Sequence, residues 1–181
     1  IDLYFSTFAK SMASIGAFAS SDAQVIDYLR YNTRSQIFAK SFPMPITIGN
    51  LKRLELLRSQ PELKEKLWHN VNRLQSGLRK RGFNLGKTNS PVTPVYLSGS
   101  IPEAANLIVD LRENYRIFCS AVLYPVIPKG ELLLRLIPTA MHSDQDIDET
   151  LNAFSEVHDK LVNGKYNIGT EHLQEIVQAS V

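Results

Sequence analysis

Cysteine, net charge and long apolar runs are scarce in this chain, and each shortage excludes a class of protein. A single cysteine among 181 residues, Cys119, rules out an internal disulfide framework and indicates a reducing, cytoplasmic environment. The formal net charge of +2 and the scattered basic residues argue against nucleic acid as a partner. No apolar run is long enough to span a membrane, and the first residues lack the pattern of a signal peptide. Neither an internal repeat nor a metal site is predicted.

What the chain does have is an apolar fraction of 44%, which is enough for one core or for two small ones. Near the start, two strand-like runs, residues 2–8 and 14–20, flank a Ser- and Thr-rich turn that carries Lys10. The segment "RSQIFAKS" that follows predicts another short strand. The prolines of "FPMP" predict a turn, and a helix is expected to begin near Thr47.

The middle of the chain is predicted to be helical as far as Gly82, which can end a helix in the left-handed conformation. Ser59 and Glu62 have the S-x-x-E spacing of a capping box. Arg79 to Arg81 fall in the last turn, where cations suit the helix dipole, so we interpret this basic triplet as a helix end. Apolar residues recur along one helical face: Leu63, Leu67, Val71, Leu74 and Leu78.

After Gly82, short strands alternate with helices. Three segments have strand composition: "PVTPVYLS", "IFCSAVLYP" and "ELLLRLIP". Ser100 and Glu103 form a second capping-box pattern, and Ser143 is predicted to cap a last long helix. The order of strands and helices indicates an α/β chain with a small α+β domain.

These patterns divide the chain into four parts. Residues 1–45 have the pattern of the end of a larger sheet, and residues 46–82 are linking helices. Residues 83–162 are the small α+β domain, and residues 163–181 are a tail without an assignable pattern. Because the first part has too few strands to close a core, we expect the chain to be a fragment whose missing strands lie upstream.

Lys10 is the residue whose surroundings point most directly to chemistry. It follows "STFA" and precedes Ser11. A lysine amine with a lowered pKa forms Schiff bases, and hydroxyls such as those of Thr7 and Ser11 can hold a phosphate; together these are what pyridoxal phosphate requires. On spacing alone, a surface lysine in a Ser-rich turn is the favoured alternative. The hydroxyl-x-x-Lys spacing of penicillin-recognising enzymes is a third, weakened because Lys87-Thr88 is followed by Asn89.

Three longer segments resemble one family of enzymes in the same order along the chain. They are "STFAKSMASIGAFASS", "RSQIFAKSFP" and "YPVIPKGELLLRLIPTAMHS". Together they are similar to the α-oxoamine synthases, pyridoxal-phosphate enzymes of the aspartate-aminotransferase-like fold (fold type I), over nearly all of residues 1–162. The serine palmitoyltransferase, glycine C-acetyltransferase and 8-amino-7-oxononanoate synthase branches are the most similar. The expected fold is therefore the C-terminal portion of such an enzyme: the end of the cofactor domain followed by the small domain.

The resemblance implies a role for each matching residue. Lys10 would form the Schiff base with the cofactor and later exchange the proton at the substrate α-carbon. Thr7 would bind the cofactor phosphate, and Ser41 would reach the phosphate of the neighbouring subunit in a homodimer. Arg135 would pair with the amino-acid carboxylate. His142 matches a recurrent family position, which we interpret as structural because it stands at a helix entry.

Some positions depart from the family pattern. Ala9 and Ala17 stand where Ser and a second Gly are usual, and Ala39-Lys40 replaces Ser and a small residue. The family's ring-stacking histidine, its pyridine-nitrogen aspartate and its glycine-rich phosphate turn all precede the lysine and are not in this sequence. We therefore expect this chain alone to be inactive.

The full enzyme is expected to condense a small amino acid (glycine, serine or alanine) with an acyl-CoA, giving an α-amino ketone with decarboxylation in most branches. Two alternatives remain at this level. One is another fold-type-I pyridoxal enzyme such as an aminotransferase. The other is a non-catalytic interaction module that retains the small-domain fold.

Overall fold

The computed structural model describes residues 1–97, 99–129 and 131–167. The chain divides into two compact units, Ile1–Pro61 and Glu62–Val181. The sequence predicts part boundaries after residues 45, 82 and 162. The part of the predicted tail beyond Asn167 lies outside the described residues. The elements in chain order are β1 (Leu3–Thr7), β2 (Ala17–Ser21), α1 (Ala23–Asn32), α2 (Arg34–Ile37), α3 (Met44–Ser59), α4 (Pro61–Lys80), β3 (Thr93–Leu97), α5 (Ile101–Tyr115), β4 (Ser120–Val122), β5 (Leu132–Leu136) and α6 (Asp144–Val162).

The first unit begins with an antiparallel hairpin formed by β1 and β2. Leu3 is opposite Ser21, and Thr7 is opposite Ala17. Strand β1 lies within the predicted run 2–8, and β2 overlaps the predicted run 14–20 and ends one residue beyond it, at Ser21. Lys10 lies in the loop between the two strands, as predicted. The unit continues with three helices.

Two predictions for the first unit are wrong. The segment "RSQIFAKS" begins as the short helix α2 and not as a strand, because its amides bond locally: the N–H groups of Gln36 and Ile37 donate to the carbonyl of Thr33. Helix α3 begins at Met44, three residues before the predicted start. Pro45 lies in the first turn of α3. A backbone N–H at this position has no acceptor within the helix, so proline, which lacks the N–H, loses no hydrogen bond there.

The capping box predicted at Ser59 and Glu62 is also wrong. Ser59 is the last residue of α3, and its hydroxyl lies 3.5 Å from the carbonyl oxygen of Leu56. Helix α4 begins at Pro61 instead. The predicted C-terminal end of α4 is confirmed, since Gly82 has φ +85° and the N–H of Phe83 donates to the carbonyl of Leu78.

The second unit is built on a three-stranded antiparallel sheet in the order β3-β5-β4. The predicted capping box of α5 is formed at Ser100, and Ser143 caps α6 as predicted, where it also forms a capping box with Asp146. The strand predicted from "IFCSAVLYP" is confirmed in only three residues, because only Ser120–Val122 pair with β5. One buried cluster joins the sheet and the helices: Leu74, Leu78, Phe83, Leu85, Val95, Leu107, Leu111, Cys119, Leu134, Leu136, Ile147, Leu151, Phe154, Val157 and Tyr166.

In the central strand β5, leucines of the core alternate with the exposed residue Arg135. Leu132, Leu134 and Leu136 are buried, whereas Arg135 is exposed. Since neighbouring side chains of a strand point to opposite faces, Arg135 lies on the face of the sheet opposite to Leu134 and Leu136. This arrangement places its charge outside the core, where it needs no buried partner.

A polar cluster fastens the segment after α6 to α5. The Nζ of Lys160 and the hydroxyl of Tyr166 donate to Oδ2 of Asp110, over 2.7 and 2.6 Å. Burial alone would raise the Asp110 pKa, but these hydrogen bonds and one from Asn114 outweigh it and hold that pKa below its usual range. The first residues of the predicted tail are therefore part of the second unit.

Candidate functional site

Lys10 lies in a short, internally bonded loop that joins β1 to β2. The N–H of Phe8 donates to the carbonyl of Gly16, and the N–H of Ser14 donates to the carbonyl of Phe8. The N–H of Ala13 donates to the carbonyl of Lys10 over 2.9 Å, which closes a tight turn. The Lys10 side chain is exposed, and its Nζ makes no ion pair or hydrogen bond with other described residues. The loop thus presents a free primary amine on a fixed backbone.

Thr7 is the last residue of β1 and stands three positions before Lys10. Its backbone is held by pairing with Ala17, and its side chain is exposed. Within the described ranges its hydroxyl has no partner. A free hydroxyl at the end of a paired strand is a suitable donor for an anionic oxygen.

The segment that carries Ser41 packs against the same loop through the next residue, Phe42. The rings of Phe8 and Phe42 have centroids 6.4 Å apart. At Gly16, which has φ +96°, an added Cβ would lie 2.6 Å from a Phe42 ring atom. Glycine is therefore required there both by the backbone conformation and by the ring. As a result, Ser41 lies one residue away from a contact with the Lys10 loop.

Arg135 is the predicted substrate residue, and it lies in the second unit. In the sheet it is opposite Pro94 of β3 on one side and Ser120 of β4 on the other. Its Nε donates to Oγ of Ser120 over 3.2 Å. No ion pair to the Arg135 guanidinium is formed by the part of the chain that the structure describes. The structure thus brings Lys10, Thr7 and the Ser41 segment together in the first unit and presents Arg135 separately in the second.

His142 has the local contacts expected of a structural residue. Its Nδ1 accepts a hydrogen bond from the N–H of Thr139 over 2.9 Å. The amide of Asn70 in α4 donates to the carbonyls of both Thr139 and His142, each over 2.9 Å. Asn70 is fully buried and holds the turn that follows β5. Sequence reasoning missed Asn70, although a polar residue one position before Val71, on the apolar side of α4, is a usable signal.

Cys119, one residue before β4, is buried and is not suited to chemistry. Desolvation raises the pKa of its thiol to about 11, so the thiol stays protonated at neutral pH. Among the described residues, no group of three or more His, Cys, Asp and Glu side chains could hold a metal ion. None of the helices described is long and apolar enough to cross a membrane.

The lysine amine and the neighbouring hydroxyls lie in the first unit, and the exposed arginine lies in the second. A sequence model of the family "Aminotransferase class I and II" matches residues 1–154. The chain therefore belongs to the aminotransferase class I and II family. This confirms the expected fold class.

Curated relatives place the chain more narrowly. It is 64% identical over 166 residues to a cysteate-C-fatty acyltransferase of Capnocytophaga ochracea, a match that covers 92% of this chain and 40% of the relative. It is 36% identical over 157 residues to a serine palmitoyltransferase of Sphingobacterium spiritivorum, covering 87% of this chain and 39% of that protein. The chain thus spans about two fifths of the length of these relatives, and the resemblance to α-oxoamine synthases is confirmed.

Solved structures agree with the sequence matches. A serine palmitoyltransferase of Sphingomonas wittichii superposes with a TM-score of 0.79 at 28% identity, covering 86% of this chain and 39% of that one. A high-resolution serine palmitoyltransferase structure with pyridoxal phosphate as an internal aldimine superposes with a TM-score of 0.81 at 28% identity, covering 90% and 41%.

Proposed function

We propose that this chain is the portion of a pyridoxal-phosphate-dependent C-acyltransferase that carries the cofactor lysine and the substrate arginine. The whole enzyme condenses an amino acid with an acyl-CoA to an α-amino ketone, with loss of carbon dioxide. The observation that carries the proposal is the free amine of Lys10 in a loop closed by backbone hydrogen bonds, with Thr7 at the end of β1 and the Ser41 segment packed against the loop through Phe42. The names of the curated relatives, which are acyltransferases and synthases of this class, support it.

The residues present fit the cofactor. A phosphorylated pyridine aldehyde needs an amine to attach to and hydroxyl donors for its phosphate, and Lys10, Thr7 and Ser41 supply these groups without competing side-chain partners among the described residues. The matching structure that contains pyridoxal phosphate also supports this assignment. When bound, pyridoxal phosphate supplies an electron sink for the bonds at the substrate α-carbon.

Each residue then has a defined task. The Nζ of Lys10 would hold the cofactor covalently and would carry the proton to and from the substrate α-carbon. The hydroxyl of Thr7 donates to the cofactor phosphate. Ser41 would donate to the phosphate bound by a second copy of the chain, so the enzyme would work as a homodimer. The single cysteine, Cys119, supports a cytoplasmic location for it. In this scheme residues 1–45 end the cofactor domain, and residues 83–162 form the small domain.

Arg135 binds the carboxylate of the amino acid. An arginine guanidinium presents paired N–H groups that match the two oxygens of a carboxylate. Its exposed position on β5 leaves those groups available. We extend the proposed substrates from glycine, serine and alanine to cysteate, because the relative with 64% identity is named for that substrate.

Borohydride reduction tests the cofactor assignment. The full-length protein, loaded with pyridoxal phosphate and reduced, is expected to carry the phosphopyridoxyl group on Lys10, located by peptide mass spectrometry. Lys10→Ala abolishes both the label and turnover, whereas Lys52→Ala, a matched exposed lysine that pairs with Glu55, keeps both. A label on any other lysine refutes the assignment.

A second measurement separates acyl transfer from amino-group transfer. With cysteate and a long-chain acyl-CoA, the proposed enzyme releases carbon dioxide and free CoA in equal amounts. An aminotransferase would instead form a keto acid with no need for the acyl donor.

A further inference from the structure

The Arg135 guanidinium is held by a side chain of the neighbouring strand. Ser120 is directly opposite Arg135 in the β4–β5 pairing, and the Nε–Oγ distance of 3.2 Å is within hydrogen-bond range. The other cross-strand neighbour, Pro94, has no side-chain donor or acceptor. Of the two residues opposite Arg135, only Ser120 can therefore orient it.

Ser120 is itself fixed in place. It is the first residue of β4, and the preceding residue, Cys119, is buried in the core with 7% of its surface exposed. Its own side chain is half-buried. Pairing with β5 over Ser120–Val122 fixes the backbone on the other side. The backbone that carries the hydroxyl is thus held opposite Arg135.

A guanidinium offers a carboxylate two different edges. One edge uses the N–H of Nε with one N–H of an Nη atom, and the other uses one N–H from each Nη atom. Because the only N–H on Nε is directed to Ser120, the first edge is occupied. The edge formed by the two Nη atoms remains.

We propose that Ser120 is the positioning residue that turns Arg135 so that the substrate carboxylate binds end-on, to its two Nη atoms. The inference rests on the proposed function, since it assumes that Arg135 binds this carboxylate. It assigns Ser120 no direct role in the reaction: Ser120 acts through Arg135. Loss of the hydroxyl releases the Nε edge and allows the guanidinium to rotate, which weakens carboxylate binding without affecting attachment of the cofactor.

Equilibrium binding of L-cysteate to the full-length, cofactor-loaded enzyme, measured by calorimetry without acyl-CoA, tests the inference. Ser120→Val and Ser120→Thr form a matched pair, because both side chains are β-branched and only Thr keeps the hydroxyl. We expect Ser120→Val to weaken cysteate binding about 2- to 10-fold, the effect of one net hydrogen bond. We expect Ser120→Thr to bind like the parent. Ser76→Ala, which removes an exposed hydroxyl of α4, is the control.

Two further comparisons show whether the effect passes through Arg135 and the carboxylate. In an Arg135→Ala background, Ser120→Val is expected to cause no additional loss, since the partner it orients is gone. Taurine, which is cysteate without its carboxylate, is expected to bind equally to the parent and to Ser120→Val. Equal losses for taurine and cysteate, or an additive loss in the double variant, overturn the inference.

The failure of this inference can be distinguished from failure of the proposed function. If Arg135→Ala weakens cysteate binding but Ser120→Val does not, Arg135 binds the carboxylate without help from Ser120 and the inference is wrong. If Arg135→Ala itself leaves cysteate binding unchanged, the proposed role of Arg135 fails first. A crystal structure with cysteate in which the carboxylate contacts Nε also overturns the inference.

Discussion

Arg135 has the exposure and surroundings expected of a residue kept for a ligand. It stands in the central strand between buried leucines, yet its own side chain is exposed, and the one side-chain hydrogen bond it makes within the described residues is to a neutral hydroxyl. No carboxylate pairs with Arg135 among the residues described, so its removal leaves no uncompensated charge.

We therefore predict that Arg135→Ala weakens amino-acid binding by about 1.5–3 kcal/mol, the range for a hydrogen bond to a charged group. Cofactor binding and the thermal midpoint of the full-length enzyme are expected to change little. Spectral titration with the amino acid and a thermal melt measure the two quantities. Arg112→Ala, which removes an exposed arginine paired with Glu113, serves as control. Normal affinity together with a lowered midpoint would make Arg135 a structural residue.

The candidate residues that could be predicted from the sequence are those that lie in one continuous, recognisable segment. Lys10 and Thr7 are three positions apart, and their segment is recognisable by itself. The partners that hold the site were missed because they act across strands and helices. Ser120 is 15 positions from Arg135, and Asn70 is 69 positions from Thr139. No short window of the sequence contains either pair. The first pair requires the register of β4 against β5, and the second requires the packing of α4 against the turn after β5.

Helix caps show the same limit at the scale of elements. Three S-x-x-E or S-x-x-D patterns occur at Ser59, Ser100 and Ser143, and two of them form boxes. At Ser143 the hydroxyl accepts from the N–H of Asp146 over 3.1 Å, and the N–H of Ser143 donates to the Asp146 carboxylate over 2.7 Å. Ser59 forms none because helix α3 extends through it and Pro61 begins α4.

We predict that Ser143→Ala lowers the free energy of unfolding of the second unit by about 0.5–2 kcal/mol, the usual effect of losing an N-cap. Ser59→Ala is the matched comparison and is expected to change it by much less. Urea denaturation followed by fluorescence of Trp68, the single tryptophan, reports on α4. Equal losses for the two variants would show that the capping box at Ser59 forms in solution.

The capping box of Ser143 and Asp146 also predicts that the free energy of unfolding of the second unit depends on pH. The backbone N–H and the hydroxyl of Ser143 hold the pKa of the Asp146 carboxyl below its usual range. A carboxyl whose pKa is lower in the folded state contributes stability above its unfolded pKa of about 3.9, and this is lost as pH falls through the folded pKa. The difference between the parent and Ser143→Ala should therefore narrow below about pH 4. A difference independent of pH would mean that the Asp146 carboxylate has no part in the cap.

At the scale of the whole molecule, apolar burial is distributed unevenly. Among the described residues, every buried apolar side chain lies at or beyond Val71. Within residues 1–61, only Asn50 is buried. Phe5, Tyr31 and Phe38 are 64%, 80% and 77% exposed. Apolar surface of this extent is normally covered by a partner. The matched residues make up only 40% and 39% of the two relatives, so we propose that other parts of the enzyme cover the first unit.

Hydrogen exchange on the 181-residue chain tests this difference between the units. Strand β5 is paired on both sides and backs onto a buried cluster, so its amides from Leu132 to Leu136 are expected to exchange slowly. The β1–β2 hairpin is a two-stranded sheet with apolar side chains exposed, and such hairpins are marginally stable alone. Amides from Leu3 to Thr7 should therefore exchange much faster in the 181-residue chain and become protected in the full-length enzyme. Slow exchange of β1 in a proven monomer of the 181-residue chain would show that the first unit is stable without any partner, and the inferred cover would then be unnecessary.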